Sequence, residues 1–248
     1  MRNTLVVLSL FLGLNLSAQS TEAPLEKSEK WVNYTTVIEK KVYANKGKWT
    51  KEYTLKEGKV ESYKAFYKED LRTNVVITYD EYGNIDSNIV SDETKKPQKV
   101  HTLNFDLKYN SEGLKVEDTA SLYTYNANNL VETKYSKKWE TSNQKEGWFT
   151  KYEYDTLGNI TRKEKTTIRK GEPQLDIEEL TYDQYNNVLT ISRSSSPTRK
   201  YPIIMIGGRS LHQHETFEYK YNDDHLWTAK YLIASDNKKI LLAEREMK

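Results

Sequence analysis

Few residues in this chain have the types and spacing that chemistry needs. His212 and His214 form a His-x-His pair, which one face of a strand would present together with Glu215 beside it. That is the beginning of a divalent-metal site, but no third same-face ligand is visible. His225 falls within a turn and His101 stands alone. The acidic neighbours Glu178 with Glu179 and Asp223 with Asp224 are adjacent, so on a strand their carboxylates point to opposite faces and cannot work as an acid and base pair. There is no G-x-S-x-G elbow, no phosphate-cradling glycine loop and no H-E-x-x-H. The sequence assigns no catalytic, cofactor-binding or metal-binding residue, and the expectation is a non-enzyme without a cofactor.

Two stretches could instead bind something. Trp139 and Trp148 flank TSNQKEG (141–147), where cross-strand rings either brace a long hairpin or form a flat platform on which a sugar stacks. The segment SSSPTRKYPIIMIGGRS (194–210) carries Tyr201 and the apolar run Ile203, Ile204, Met205 and Ile206. It is expected either as a strand tucked against a sheet or as an exposed apolar patch that recruits a partner.

The elements that would position these residues are legible from a repeat. ITYDEYGNI (77–85), LKYNSEGLK (107–115), YTYNANNLV (123–131), YEYDTLGNI (152–160), LTYDQYNNV (180–188) and YKYNDDHLW (219–227) share one pattern, with YTLKEGKV (53–60) a weaker seventh copy. In each, alternating residues lead to a tyrosine, as a strand requires. Next stands Asp80, Asn110, Asn126, Asp155, Asp183 or Asn222, where an Asx side chain opens a type I turn. Three positions on come Gly83, Gly113, Asn129, Gly158, Asn186 and His225, residue types that accept the positive φ of a G1 bulge. Each copy is thus a β-hairpin. Successive turn tyrosines are 30, 16, 29, 28 and 39 residues apart, so most intervals hold two strands and two turns, and the last holds an insertion.

The predicted fold is all-β: an antiparallel meander of repeated hairpins, forming a large, strongly curved open sheet or partial barrel. No convincing amphipathic helix is expected. Copies with Gly-Asn-Ile place their aliphatic residue one position later than copies with Gly-Leu or Asn-Leu, a shift that bulges must absorb if both are to face one way.

Residues 1–20, with Arg2 and an apolar run from Leu5 to Leu16, read as a secretory signal peptide cleaved before Thr21. Residues 21–30 form a polar leader and 31–248 a single domain. No later apolar run is long enough to span a bilayer. The chain is expected to be exported, to the periplasm or the cell exterior, where its lack of cysteine excludes disulfides and thiolate chemistry. Without Arg2 the mature chain balances 37 basic against 36 acidic residues, interspersed, which gives no field for a nucleic acid. Nineteen tyrosines and five tryptophans supply packing that the sparse aliphatics do not.

The pattern YxYDxxGN followed by a β-forming stretch, clearest at 152–160 and 77–85, resembles the YD repeats of the Rhs family, found also in many small exported proteins of Bacteroidota. The resemblance runs from about residue 50 to about residue 230. It implies β-hairpin sheets, which in large family members wrap into a hollow shell, and it implies no catalytic residues. The functional expectation is an exported scaffold or interaction protein with an unknown protein or glycan partner. The alternatives are a carbohydrate-binding module using Trp and Tyr on a sheet face, and a small-molecule or lipid carrier if the sheet closes around a cavity.

Overall fold

The structure, a computed structural model, describes Leu25 and residues 29–43, 47–205 and 209–248. The expected signal peptide, most of the polar leader and Ile206 lie outside the described residues. A 3₁₀ turn at Glu29–Asn33 precedes β1 (Thr36–Tyr43), β2 (Gly47–Lys56), β3 (Lys59–Tyr67), β4 (Asp70–Tyr79), β5 (Ile85–Asp92), β6 (Lys99–Asn104), β7 (Lys108–Tyr109), β8 (Lys115–Glu117), β9 (Ser121–Tyr125) and β10 (Val131–Ser136). After a short helix, α1 (Lys137–Thr141), come β11 (Gly147–Tyr154), β12 (Ile160–Arg169), β13 (Glu172–Tyr182), β14 (Val188–Ser196), β15 (His214–Tyr221), β16 (Trp227–Ile233) and β17 (Lys239–Met247). These strands form an antiparallel meander, the fold class predicted from the repeat.

The turn chemistry is the predicted one. Asp80 Oδ1 accepts from the N–H groups of Tyr82 (3.0 Å) and Asn84 (2.8 Å). Asp155 Oδ1 does the same with Leu157 (2.9 Å) and Asn159 (2.8 Å). Asn110, Asn126 and Asp183 repeat the arrangement, and Asn222 accepts from Leu226 N–H at 2.9 Å. Positive φ falls where expected: 79° at Gly83, 76° at Gly113, 58° at Asn129, 84° at Gly158, 64° at Asn186 and 60° at His225. A bulge accompanies the turns, so Tyr79 pairs with Ile85, Tyr109 with Lys115, Tyr154 with Ile160 and Tyr182 with Val188. The register is therefore common to the Gly-Asn-Ile and Gly-Leu copies. What differs is the side chain one position earlier, Asn159 in one and Leu114 or Leu130 in others.

Three features depart from the sequence reading. YTLKEGKV turns on Glu57 (φ 52°) and Gly58 (φ 76°), a two-residue connection without an Asx residue to build the longer form. A further turn of the repeat type closes at Asn237 (φ 61°), with Ala234 in the Asx position, which hid it from the pattern. And TSNQKEG is not a plain hairpin turn, because α1 occupies its start.

The tyrosine of the repeat does more than line a face. Its hydroxyl donates to the return strand of the preceding copy: Tyr79 to Val60 O (2.8 Å), Tyr125 to Lys115 O (2.6 Å), Tyr154 to Val131 O (2.6 Å) and Tyr182 to Ile160 O (2.7 Å). A phenylalanine would fill the same space but leave that carbonyl without its donor.

The described residues divide into two compact units. The first holds the described residues up to Phe105 together with 204–205, 209–210 and Glu218–Lys248. Here β17 pairs with β1, and β2 to β6 follow in order. One row of cross-strand neighbours, Val37, Tyr53, Tyr63, Val75 and Val90, is buried from end to end. Each buried tyrosine ring removes on the order of 150–250 Å² from water. In the next row Glu39, only 4% exposed, meets Lys41 at 3.1 Å and Arg245 at 2.8 Å. Burial pushes the Glu39 carboxyl up, but Lys41 and Arg245 outweigh it and hold it below the usual range. The Arg245 guanidinium also lies 3.6 Å from the Trp227 ring centroid.

The second unit comprises Asp106–Ile203 and Leu211–Phe217. Its sheet runs from β7 through β14 to the first half of β15. Buried polar side chains are prominent here: Asp118, Ser121, Ser136, Thr150, Arg193 and Glu215. Charges form a ladder across β12 to β15, in which Lys163 meets Glu178 (3.4 Å), Glu178 meets Arg193 (2.9 Å) and Arg193 meets Glu215 (3.0 Å). Burial raises the Glu178 pKa, and Lys163 and Arg193 more than reverse the effect. Partnering of this kind is what makes such burial tolerable.

Candidate functional site

The second unit carries a recess built where the meander departs from a simple turn. Ser136, at the end of β10, is buried, and its Oγ accepts two backbone N–H bonds, from Trp139 at 3.2 Å and from Trp148 at 3.1 Å. The first caps α1 and the second ties that cap to β11. Beyond α1 the chain is folded tightly: Asn143 and Gln144 have φ of 50° and 62°, and Ser142 Oγ both accepts from Glu146 N–H and donates to Glu146 O, each at 3.0 Å. Gly147 then sits at φ 105°, where a Cβ would run into Ser136 Oγ and lie 2.8 Å from Trp139 N. Only glycine fits that crossing.

This framework brings three aromatic rings into one near-parallel group. Tyr135 and Phe149 are cross-strand partners on β10 and β11, with centroids 6.1 Å apart and planes 28° from parallel. Trp139, carried by α1, lies 5.7 Å from Phe149 at 32°. All three are part-exposed. Around them stand Glu140, Asn143 and Gln144 from the loop and Thr124 and Thr133 from the sheet, bordering an open recess of about 520 Å³. The two threonine hydroxyls are 2.7 Å apart and bond to each other. The arrangement presents an apolar floor bordered by amide, hydroxyl and carboxylate groups, with no cation in its lining.

Of the two tryptophans singled out from sequence, Trp139 is in the recess. Trp148 is not, because it precedes Phe149 on β11 and so points to the other face, where the Lys165 ammonium lies 5.5 Å from its ring. Tyr135 and Phe149 escaped sequence reading, since an isolated aromatic on a strand looks like ordinary packing. The available signal was Ser136 followed by Lys-Lys-Trp-Glu, a capping residue before helix formers, which announces α1.

The other residues named from sequence do not join this recess. Tyr201 and Ile203 are half-buried, and Ile203 forms an isolated antiparallel bridge with Leu211 rather than a full strand. Ile204 is 82% exposed and Met205 46%. His212 and His214 are both exposed, with His214 Nδ1 3.1 Å from Ser192 Oγ. Glu215 is turned to Arg193 and to the His212 N–H instead. Among the described residues no group of three His, Asp or Glu side chains is placed to hold a metal. Of the paired acids, Glu178 and Glu179 separate as expected, Glu178 to Lys163 and Arg193 and Glu179 to Arg162 at 2.6 Å, whereas Asp223 and Asp224 lie in the turn between β15 and β16, where Asp224 accepts from the Tyr34 hydroxyl at 2.5 Å. In the first unit a smaller recess of about 360 Å³ is bordered by Lys40, Lys220, Glu244 and Glu246, whose charges leave little apolar floor. Among the described residues no helix is long and apolar enough to cross a membrane.

Comparison with known proteins adds little to this geometry. No family model matches the chain, and no curated protein matches it. Among solved structures it is similar to a porin-like protein from Bacteroides uniformis ATCC 8492, at 9% identity over 87% of this chain and 98% of that one, with a TM-score of 0.46. It is also similar to the Photorhabdus luminescens Tc holotoxin pore carrying the TccC3-D651A mutation, at 11% identity over 79% of this chain and 12% of that one, with a TM-score of 0.30. Both values lie under 0.5, and neither likeness bears on what the chain does.

Proposed function

We propose that this chain is an exported, non-enzymatic interaction protein of the YD-repeat kind, and that the recess beside α1 is its binding face. The observation that carries the reading is the recess itself: three part-exposed rings held in fixed relation by a buried cap, at the one strand connection in the second unit where a helix replaces a turn. Ordinary hairpin closure needs no such construction, as the two-residue turn at Lys170 and Gly171 shows. Strained residues collected around a concavity are a familiar mark of a working surface. The YxYDxxGN recurrence supports a hairpin scaffold behind that face, and the early apolar segment after Arg2 supports export.

The test is site-specific photocrosslinking. A benzophenone amino acid at Asn143, in cells with an intact envelope, should yield a defined adduct, with protein or with glycan, that disappears in a Trp139→Ala background. Absence of adducts, or the same adducts from a probe at the Trp148 position, would overturn the reading. N-terminal sequencing of the exported protein should begin at Thr21, and glycans incubated with it should gain no new reducing ends.

A further inference from the structure

We infer that the recess takes a neutral carbohydrate, seated with the C–H face of a pyranose ring on Phe149 and Trp139 and with its hydroxyls toward Glu140, Asn143 and Gln144. The inference rests on the binding role proposed for this recess and gives its ligand class.

Three observations lead there. The rings are neighbours at 5.7 Å and 6.1 Å, tilted by only 32° and 28°, so they stand as an offset, near-parallel group that gives the recess an aromatic wall. Aromatic faces carry partial negative charge and attract the weakly positive C–H groups of a sugar. Next, the border is rich in groups that match hydroxyls: two primary amides, which both donate and accept, and a carboxylate, which accepts from sugar O–H groups. A purely aliphatic ligand would strip water from these groups and offer nothing in return. Third, the lining contains one carboxylate and no lysine or arginine, so a uronate, sulfate or phosphate placed there would face Glu140 without a counter-charge. The cavity of about 520 Å³ lies within the ordinary range for small-ligand sites, and its open side leaves room for a chain to continue.

Rigid backbone geometry supports ring placement without help from the ligand. Ser136 Oγ holds both Trp139 and Trp148 backbone N–H groups, so the backbone that carries the rings is set before binding. Little ordering remains for the ligand to impose.

The experiment titrates the full exported chain with a neutral hexose tetrasaccharide and with a uronate tetrasaccharide of equal length, following indole N–H resonances by NMR. The Trp139 signal, assigned by its loss in Trp139→Ala, should shift with the neutral sugar and not with the acidic one, with little dependence on salt. Trp139→Ala should weaken binding at least about tenfold. Glu140→Ala, an exposed change that spares the fold, should weaken it several-fold, and Trp148→Ala should leave it unchanged. Stronger binding of the uronate, or binding lost with Trp148 and kept without Trp139, would overturn the inference. So would failure of every neutral sugar to move the Trp139 signal at millimolar concentration. If sugars fail while the Asn143 photoprobe captures a protein in a Trp139-dependent way, the ligand class falls and the binding role stands; if both fail, both fall.

Discussion

A single hydroxyl distinguishes what tyrosine does in this repeat from what any other ring could do. Tyr154 donates to Val131 O across 23 residues of sequence, and Tyr182 to Ile160 O across 22. Desolvation pushes the Tyr154 phenol up to about 12, and the Tyr79, Tyr125 and Tyr182 phenols are raised for the same first reason. Replacing Tyr154 by Phe should cost about 1 kcal/mol in urea unfolding, because the Val131 carbonyl loses its donor while the packing is kept. Lysine gives the opposite case. Burial pushes the Lys51 amine down to about 8, Lys41 adds to that, and Glu39 partly opposes it. At pH 7 the chain therefore keeps a charge in a place that disfavours it. Lys51→Met should raise the thermal midpoint at pH 7, and that gain should shrink toward zero above pH 10, where the unfolded chain also sheds the proton.

Among the elements, α1 and its flanks show how one local choice places a site. Gly147→Ala should destabilise by roughly 1–3 kcal/mol, since both the positive φ and the collision with Ser136 Oγ oppose a Cβ. The same variant should blunt any ligand response of Trp139, because the crossing it disturbs holds α1 against β11; paired urea curves and NMR titrations check both halves. The hairpins themselves were legible residue by residue, since Asx at one position and Gly, Asn or His three later admit few backbone solutions. Their shared register became clear only with the bulges in view. The recess was half legible. Trp139 announced itself by size and position, but its partners Tyr135 and Phe149 depend on which face of two adjacent strands looks outward, and a one-residue offset removed Trp148 from their company. The last repeat-type turn stayed hidden because Ala234 lacks the side chain that marks the others.

At the scale of the molecule, the sum of these titrations gives stability a shape in pH. Glu39, Asp118 and Glu178 have carboxyls held below their ordinary range, so their contribution is complete above the unfolded values and fades as acid protonates the folded form. Lys51 and Lys230, both pushed to about 8, add stability as pH climbs from there toward 10.5. The raised tyrosines act in reverse: their share is present below pH 10 and disappears as pH rises through the folded values. Stability measured by urea unfolding across pH should thus peak between about 8 and 10, on the alkaline side of the common optimum. A maximum near pH 5 would show that Lys51 and Lys230, which lie over the Tyr63 and Tyr219 rings, are not destabilising at neutral pH. The division into two units left no trace in composition, because the repeat runs through both and differs in degree: a row of tyrosine and valine beside one buried ion pair in the first, a longer run of partnered charges in the second.

The reach of each turn tyrosine into the hairpin before it has a mechanical side. Stretched from its ends, a ribbon stitched over spans of 19, 10, 23 and 22 residues would surrender length in discrete increments, one of them about half the size of the rest, each rupture freeing one loop of chain before the next stitch takes the load.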